Sequence, residues 1–287
     1  MTQATVCILN PGEMGAAVGR VLRDAGARVV WSSVGRSEAT RKRANEAGLE
    51  DARTISAALD AAEIVLSVAP PHAALDVARS VAANRFRGTF VDCNAVSPDT
   101  TRAIGEVVEA AAGARFVDGG IVGPPPGAAG STRLYLSGPG AGHIAELFAG
   151  TALTAVALAA PVGAASAVKA CYAAWTKGTA MLLLAVRALA EHEGVTATLV
   201  EEWAVSQPDL FRQLDRAVGN SRKAWRWIAE MEEIAATFAG AGLPDGFHLA
   251  AAEMCRRLEP FKDARGTKVE ELVNAVQAAR VRKKATA

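Results

Sequence analysis

Two regimes of hydrophobic periodicity divide the chain. Up to about residue 160, short apolar runs rich in β-branched residues alternate with amphipathic stretches, and from Pro161 onward the apolar period is helical. The first run, TVCIL at Thr5–Leu9, is apolar without alternation and predicts a strand buried on both faces. An amphipathic helix follows to about Ala25, Gly26 ends it, and Arg28–Trp31 is a second strand. Further strands are predicted near 51–53, 63–68, 89–92, 115–122, 132–136 and 153–157, with helices near 56–61, 72–82, 98–111 and 142–148 between them. The second regime predicts helices at about 163–193, 196–206, 208–219, 221–241, 246–259 and 267–284. An α/β domain over 1–160, of the doubly wound type that binds dinucleotides, is therefore expected ahead of an all-helical domain over 161–287.

Composition narrows the function classes. Lysine and arginine (31) nearly balance aspartate and glutamate (30), so no basic field argues for a nucleic-acid partner. The four cysteines are far apart and form no CxxC pair, which suits thiols in a reducing compartment. MTQATVCILN has neither a basic leader nor a long apolar core, and Lys169 and Lys177 interrupt the most hydrophobic region. A cytoplasmic protein without a membrane partner is expected, and no metal-ligand cluster stands out in the sequence.

Candidate chemistry begins directly after the first strand, at Asn10-Pro11-Gly12-Glu13-Met14-Gly15. Strand, glycine turn, helix and strand within about 30 residues form a βαβ unit for a dinucleotide. Gly12 would let the backbone approach a pyrophosphate, Gly15 would let the helix pack on the strand, and the helix N-terminus would supply N–H donors. Asn10 stands where the first glycine of GxGxxG is usual, and asparagine tolerates the left-handed conformation this position needs. Asn10, Gly12, Glu13, Met14 and Gly15 are thus assigned to the cofactor. After the second strand, Ser33, Arg36 and Ser37 replace the usual acidic residue with hydroxyls and a guanidinium, with Arg41 and Arg43 nearby. That set suits the 2′-phosphate of NADP better than a free ribose hydroxyl, so NADPH is expected to be preferred over NADH.

Strand ends at Ser67–Pro70 and Cys93–Ser97 should lie on the carboxyl edge of the sheet, where such folds bind ligands. Val68, Ala69, Pro70 and Asn94 are assigned to the cofactor and Ser97 to the substrate. The rigid turn at Gly123 and Pro124 is a candidate wall of the substrate pocket. His72, after a Pro-Pro pair, reads as a helix-end or ribose-edge residue rather than a base. On the long helix, one face collects Ala165, Ser166, Lys169, Tyr172, Ala173, Thr176, Ala180, Leu183 and Arg187. The residues around Lys169 are small, leaving space above an ammonium that is costly to bury charged.

VCILNPGEMG, VDCNAVSP, FVDGGIVGPPPG and GAASAVKACY together resemble the β-hydroxyacid dehydrogenase superfamily, which includes 3-hydroxyisobutyrate and 6-phosphogluconate dehydrogenases. The C-terminal run MEEIAATFAGAGLPDGFHLAAAEMCRRL is similar to the helical domain of 6-phosphogluconate-dehydrogenase-like proteins. The resemblance implies a Rossmann-type domain, hydride transfer to or from a carbonyl or hydroxyl carbon, and a homodimer joined through the helical domain. It places Lys169 on the family's catalytic lysine, as general acid and base; Tyr172 and Thr176, one and two turns along the same helix face, are candidate substrate contacts by position. Four positions depart from the family pattern. Ala173 replaces an asparagine, Val122 a serine that binds substrate carboxylate, and Ser166 the histidine of true 6-phosphogluconate dehydrogenases. The lysine of a K-D pair on a later helix is not evident, although Glu230 stands near its acidic position. Loss of two polar anchors implies a substrate larger or more apolar than a short hydroxy acid. Two other readings stand beside the dehydrogenase: an NADPH-dependent imine reductase and a non-catalytic NADP(H)-binding regulator.

Overall fold

The computed structural model describes residues 4–127 and 130–284. It comprises two compact units, the first extending to Ala170 and the second beginning at Cys171. In the first, strands β1 (Thr5–Leu9), β2 (Arg28–Trp31), β3 (Glu50–Asp51), β4 (Ile64–Ser67), β5 (Thr89–Asp92), β6 (Arg115–Val122), β7 (Thr132–Ser137) and β8 (Leu153–Ala157) form one sheet. Helices α1 (Glu13–Asp24), α2 (Glu38–Glu46), α3 (Ile55–Ala61), α4 (Ala74–Ala83), α5 (Pro98–Ala112) and α6 (Ala141–Glu146) connect them. The strand order is β3-β2-β1-β4-β5-β6-β7-β8. Every pairing from β3 to β6 is parallel, as helical crossovers require, and the order is that of a dinucleotide-binding sheet. The β6–β7 pair is antiparallel because its short Gly-Pro connection cannot cross over the sheet.

Alternation along the buried strands splits the core into two layers. Val6 and Ile8 of β1 join the side chains of α1 on one face, while Cys7 and Leu9 join those of α4 and α5 on the other. Burial on both faces explains why β1 reads as a continuous apolar run. Register puts Phe90 of β5 beside Phe116 of β6, and their rings stack with centroids 6.1 Å apart.

The second unit contains the later turns of α7 (Ala164–His192) and the helices α8 (Thr196–Ser206), α9 (Asp209–Asn220), α10 (Ile228–Gly240), α11 (Gly246–Arg257) and α12 (Val269–Lys284). Gly194, at φ 69°, closes α7 as its sequence predicts. Met181, Leu184, Met231, Ile234 and Leu258 are among the side chains buried in this unit.

One element was not anticipated, one expectation is corrected and one is refined. α2 lacks a sequence signal because EATRKRANE has no apolar stripe and buries only Ala44; its start is fixed by Ser37, whose Oγ accepts from the Thr40 N–H. The single helix expected over 221–241 is a 3₁₀ segment over Ser221–Trp227 followed by α10. His72 lies in a three-residue 3₁₀ turn ahead of α4 and is exposed. Among the described residues, no helix is long and apolar enough to cross a membrane, and no cluster of metal-ligating side chains occurs.

Candidate active site

The turn between β1 and α1 takes the shape its residues dictate. Asn10 adopts φ 62°, the left-handed conformation that asparagine tolerates. Its carbonyl accepts from the Gly12 N–H at 2.7 Å, which tightens the turn. A methyl group on Gly15 would lie 2.8 Å from the Asn10 carbonyl oxygen and 3.5 Å from Ile8, so this glycine is what lets α1 lie on β1. A methyl group on Gly12 would meet nothing within 4 Å. Gly12 therefore borders open space at the N-terminus of α1, while Glu13 is exposed and Met14 half-buried beside it. The Oδ1 of Asn10 is buried and receives no hydrogen bond within the described structure. The open cradle and the N–H donors of a helix N-terminus fit a dinucleotide pyrophosphate, while the orphaned Asn10 oxygen, an acceptor, would need a donor such as a hydroxyl.

The β2–α2 turn lies at the adjoining strand end. Gly35, at φ 75°, reverses the chain, and the Arg36 N–H donates to the Ser33 carbonyl at 3.1 Å. Arg36 is half-buried, and its carbonyl accepts from the Arg41 guanidinium at 3.3 Å. Ser37 serves as the cap of α2, so two arginines and a helix N-terminus converge on this loop. Sequence reasoning missed one neighbour. Asp51, at the end of β3, accepts hydrogen bonds from Ser33 and from the Arg53 N–H. Burial raises its carboxyl, but the hydrogen bonds from Ser33 and Arg53, with the charge of Arg41, outweigh that and hold it below the usual range. The Ser33 hydroxyl is thus committed to Asp51.

At the ends of β4 and β5, Asn94 acts as a tie. Its Oδ1 accepts from the Ala69 N–H at 2.6 Å, and its Nδ2 donates to Ser67 Oγ at 3.1 Å and to Asp92. The amide fixes the backbone of Val68, Ala69 and Pro70 rather than presenting its own side chain. Ser97 is buried and caps α5, accepting from the Thr100 N–H at 3.2 Å. Gly123 and Pro124 are exposed just past β6. Gly123, at φ 117°, is obligatory there, since a methyl group would lie 2.4 Å from the Ser131 carbonyl oxygen.

The first turns of α7 pack on β6. Gly163, Ala165 and Ser166 donate their N–H groups to Asp118 Oδ2 at 2.9, 3.0 and 3.1 Å. A methyl group on Gly120 would lie 2.5 Å from the Ala165 carbonyl oxygen and 3.0 Å from Lys169 Cβ. Lys169 is thereby set against the carboxyl half of β6, half-buried, in the same unit and on the same sheet edge as the β1–α1 turn. Val122 and Ala173, the apolar replacements of family anchors, are both buried and belong to packing.

Tyr172 and Thr176 follow on α7 in the second unit, and both are exposed; Thr176 Oγ1 donates to the Tyr172 carbonyl at 2.9 Å. That unit also supplies a lysine partner for Glu230. It comes not from a later helix but from α7 itself: Lys177 Nζ donates to the Glu230 carboxylate and lies 5.2 Å from the Trp227 ring centroid. A groove of about 710 Å³ between α7 and α11 is lined by Trp175, Gly178, Leu182, Phe247, His248 and Met254.

The family model for the NAD binding domain of 6-phosphogluconate dehydrogenase matches residues 5–159, and a domain of unknown function (DUF1932) matches residues 190–258. Among curated proteins, the chain is 29% identical over 204 residues to an uncharacterized 28.5 kDa protein in the 7S RNA 5′ region of Methanothermus fervidus, covering 69% of this chain and 78% of that one. Among solved structures, it resembles a conserved hypothetical protein from Sinorhizobium meliloti 1021, with TM-score 0.69, 25% identity and 96% of each chain covered. It also shares the fold of 3-hydroxyisobutyrate dehydrogenase from Mycobacterium tuberculosis, solved with L-serine, with TM-score 0.68 and 19% identity over 96% of this chain and 99% of that one.

Proposed function

The chain belongs to the family of the NAD binding domain of 6-phosphogluconate dehydrogenase, within the β-hydroxyacid dehydrogenase superfamily, and from that premise we propose an NADP-dependent oxidoreductase in which Lys169 is general acid and base. One observation carries the reading: Lys169 is set by Gly120 on the sheet edge that also carries the open cradle at Gly12. When bound, the nicotinamide supplies or accepts the hydride. The Lys169 Nζ holds the proton that a carbonyl oxygen needs as it becomes a hydroxyl, and takes that proton in the reverse direction. The Asn10–Gly12 turn opens the space for the pyrophosphate at the N–H groups of α1, and Gly15 seats that helix on β1. Arg36, Arg41 and the N-terminus of α2 favour a 2′-phosphate. Tyr172 and Thr176 continue the lysine's face of the helix as substrate contacts.

The carbonyl reading comes ahead of the imine reading. The case for larger or imine substrates leans on Val122 and Ala173, whose side chains are buried and describe packing. Glyoxylate and 1-pyrroline, each assayed with NADPH, separate the two, and binding of NADPH without turnover of either supports a regulator. Lys169→Ala tests the mechanism. Alanine suits a helix interior and leaves the Gly12 cradle untouched, so fold and NADPH affinity should persist. Turnover should fall about 10²–10⁴-fold, the usual worth of a positioned general acid. Survival of kcat within a few fold, measured beside a binding titration on the same protein, refutes the assignment.

The assembly proposed is a homodimer joined through the helical unit. Trp175, Leu182 and Phe247 border the groove there at 73%, 59% and 74% exposure, a cluster of large apolar side chains that a partner copy would cover.

A further inference from the structure

Asp118 is the most heavily hydrogen-bonded side chain described. It lies inside β6, wholly buried, on a strand whose other buried residues are all apolar or glycine. Its Oδ2 accepts from the N–H groups of Gly163, Ala165 and Ser166 and from Ser137 Oγ at 2.8 Å. Its Oδ1 accepts from Ser166 Oγ at 2.6 Å. Because the Ser166 hydroxyl donates there, the Thr101 hydroxyl, 2.7 Å away, is the donor to Ser166. Ser137 lies directly across the β6–β7 ladder from Asp118 and also accepts from the Ala165 N–H at 3.1 Å.

These donors are not scattered. Gly163, Ala165 and Ser166 supply the N–H groups that the first turn of any helix leaves without intrahelical partners. An N-terminus is ordinarily capped by a local Ser, Thr, Asp or Asn. Here the cap comes from a strand 45 residues upstream, so it fixes where the helix stands on the sheet as well as satisfying its end. A negative charge at this end also opposes the positive pole of the helix dipole. A second, independent contact lies further along the same strand: only glycine at position 120 leaves room for the Ala165 carbonyl and Lys169 Cβ. Lys169 is one helical turn beyond the clamped Ala165 and Ser166, on their face.

The geometry points to Asp118 as the positioning residue for Lys169: clamping the start of α7 from β6, it sets the height and rotation at which the ammonium is presented at the sheet edge. This rests on the assignment of Lys169 made above. Asp118 touches no reacting atom; it acts through the helix.

The test is a double-mutant cycle with Asp118→Asn, which keeps size but turns an amide N–H₂ toward a ring of donors, and Lys169→Ala. Initial rates with NADPH and glyoxylate or 1-pyrroline, NADPH titrations and hydrogen exchange are measured on all four proteins. Asp118→Asn should lower kcat about 10–100-fold, leave the KM for NADPH within a few fold, and lower kcat no further when Lys169 is already alanine. It should also remove exchange protection from the amides of residues 163–169 while sparing β1 and α1. An equal loss in both lysine backgrounds shows Asp118 to be merely structural and overturns the inference. So does unchanged protection over 163–169, which needs no substrate to measure. Lys169→Ala on its own reports on the lysine: if that variant is inactive while Asp118→Asn behaves as wild type, positioning fails and the general acid stands. Should Asp118→Asn not fold, Ser166→Ala and Ser137→Ala each remove one donor from the same clamp, and a kcat within twofold of wild type in both overturns the inference equally.

Discussion

Replacing Gly12 with alanine should separate cofactor binding from folding. The backbone there has φ −70° and ψ −164°, extended geometry that any residue adopts. The added methyl group would meet no atom within 4 Å. Two small terms oppose each other. Restricting the unfolded chain stabilises by about 0.4–1 kcal/mol, while alanine is a poorer helix cap than glycine by a comparable amount. Net stability should thus stay within about 1 kcal/mol of wild type, a shift in Tm of about 2–4 °C at most. Cofactor binding should not survive so well, because the methyl group fills the space into which the pyrophosphate must come to reach the N–H groups of α1. Losing charge-assisted hydrogen bonds of this kind costs about 1.5–3 kcal/mol, or roughly 10–150-fold in Kd for NADPH. Gly15→Ala is the contrast: its methyl group would press on the Asn10 carbonyl at 2.8 Å, and overpacking of that sort costs about 1–3 kcal/mol of stability. Thermal melts beside fluorescence titrations of NADPH on both variants decide the matter. A Gly12→Ala protein that binds NADPH within threefold of wild type refutes the cradle, and one that melts as early as Gly15→Ala refutes the claim of open space.

Two further outcomes are expected. Arg36→Ala should raise the KM for NADPH about 10–100-fold while leaving that for NADH nearly unchanged, since only NADPH carries the 2′-phosphate that a guanidinium would hold; equal effects on both cofactors, in steady-state assays of the same preparation, contradict the NADP assignment. Light scattering at micromolar concentration should give twice the 29.7 kDa chain mass, and Trp175→Glu, placing a charge at the exposed lip of the groove, should drive the protein toward monomer; a monomeric wild type excludes the proposed pairing.

What the sequence made legible follows from where the determining interactions lie. β1 was readable because burial on both faces leaves an uninterrupted apolar run, and the β1–α1 turn because its requirements fall on adjacent residues. Asn10 could be assigned a left-handed conformation from its place in the glycine motif, and it adopts φ 62°. α2 was not readable, since its stability derives from a serine cap rather than an apolar stripe. The commitment of Ser33 to Asp51, the pairing of Lys177 with Glu230 and the clamp at Asp118 all join residues far apart in the chain, 53 residues in the case of the ion pair. Periodicity carries no information about such partners. One signal was available: an acid flanked on both sides by buried apolar or glycine residues of a strand must find buried donors, and β6 has one at Asp118.

The remote cap on α7 also bears on how this architecture can be recombined. Composition changes character near residue 160, and a gene fusion made at that point follows the division that the apolar pattern marks. Such a join would part Gly163, Ala165 and Ser166 from the carboxylate that organises them, leaving a buried acid facing whatever N-terminus the foreign helix brought. The natural seam lies inside α7, after Ala170, where the first compact unit ends. A transplantable nucleotide-binding cassette therefore carries with it the opening turns of α7 together with the aspartate that receives them.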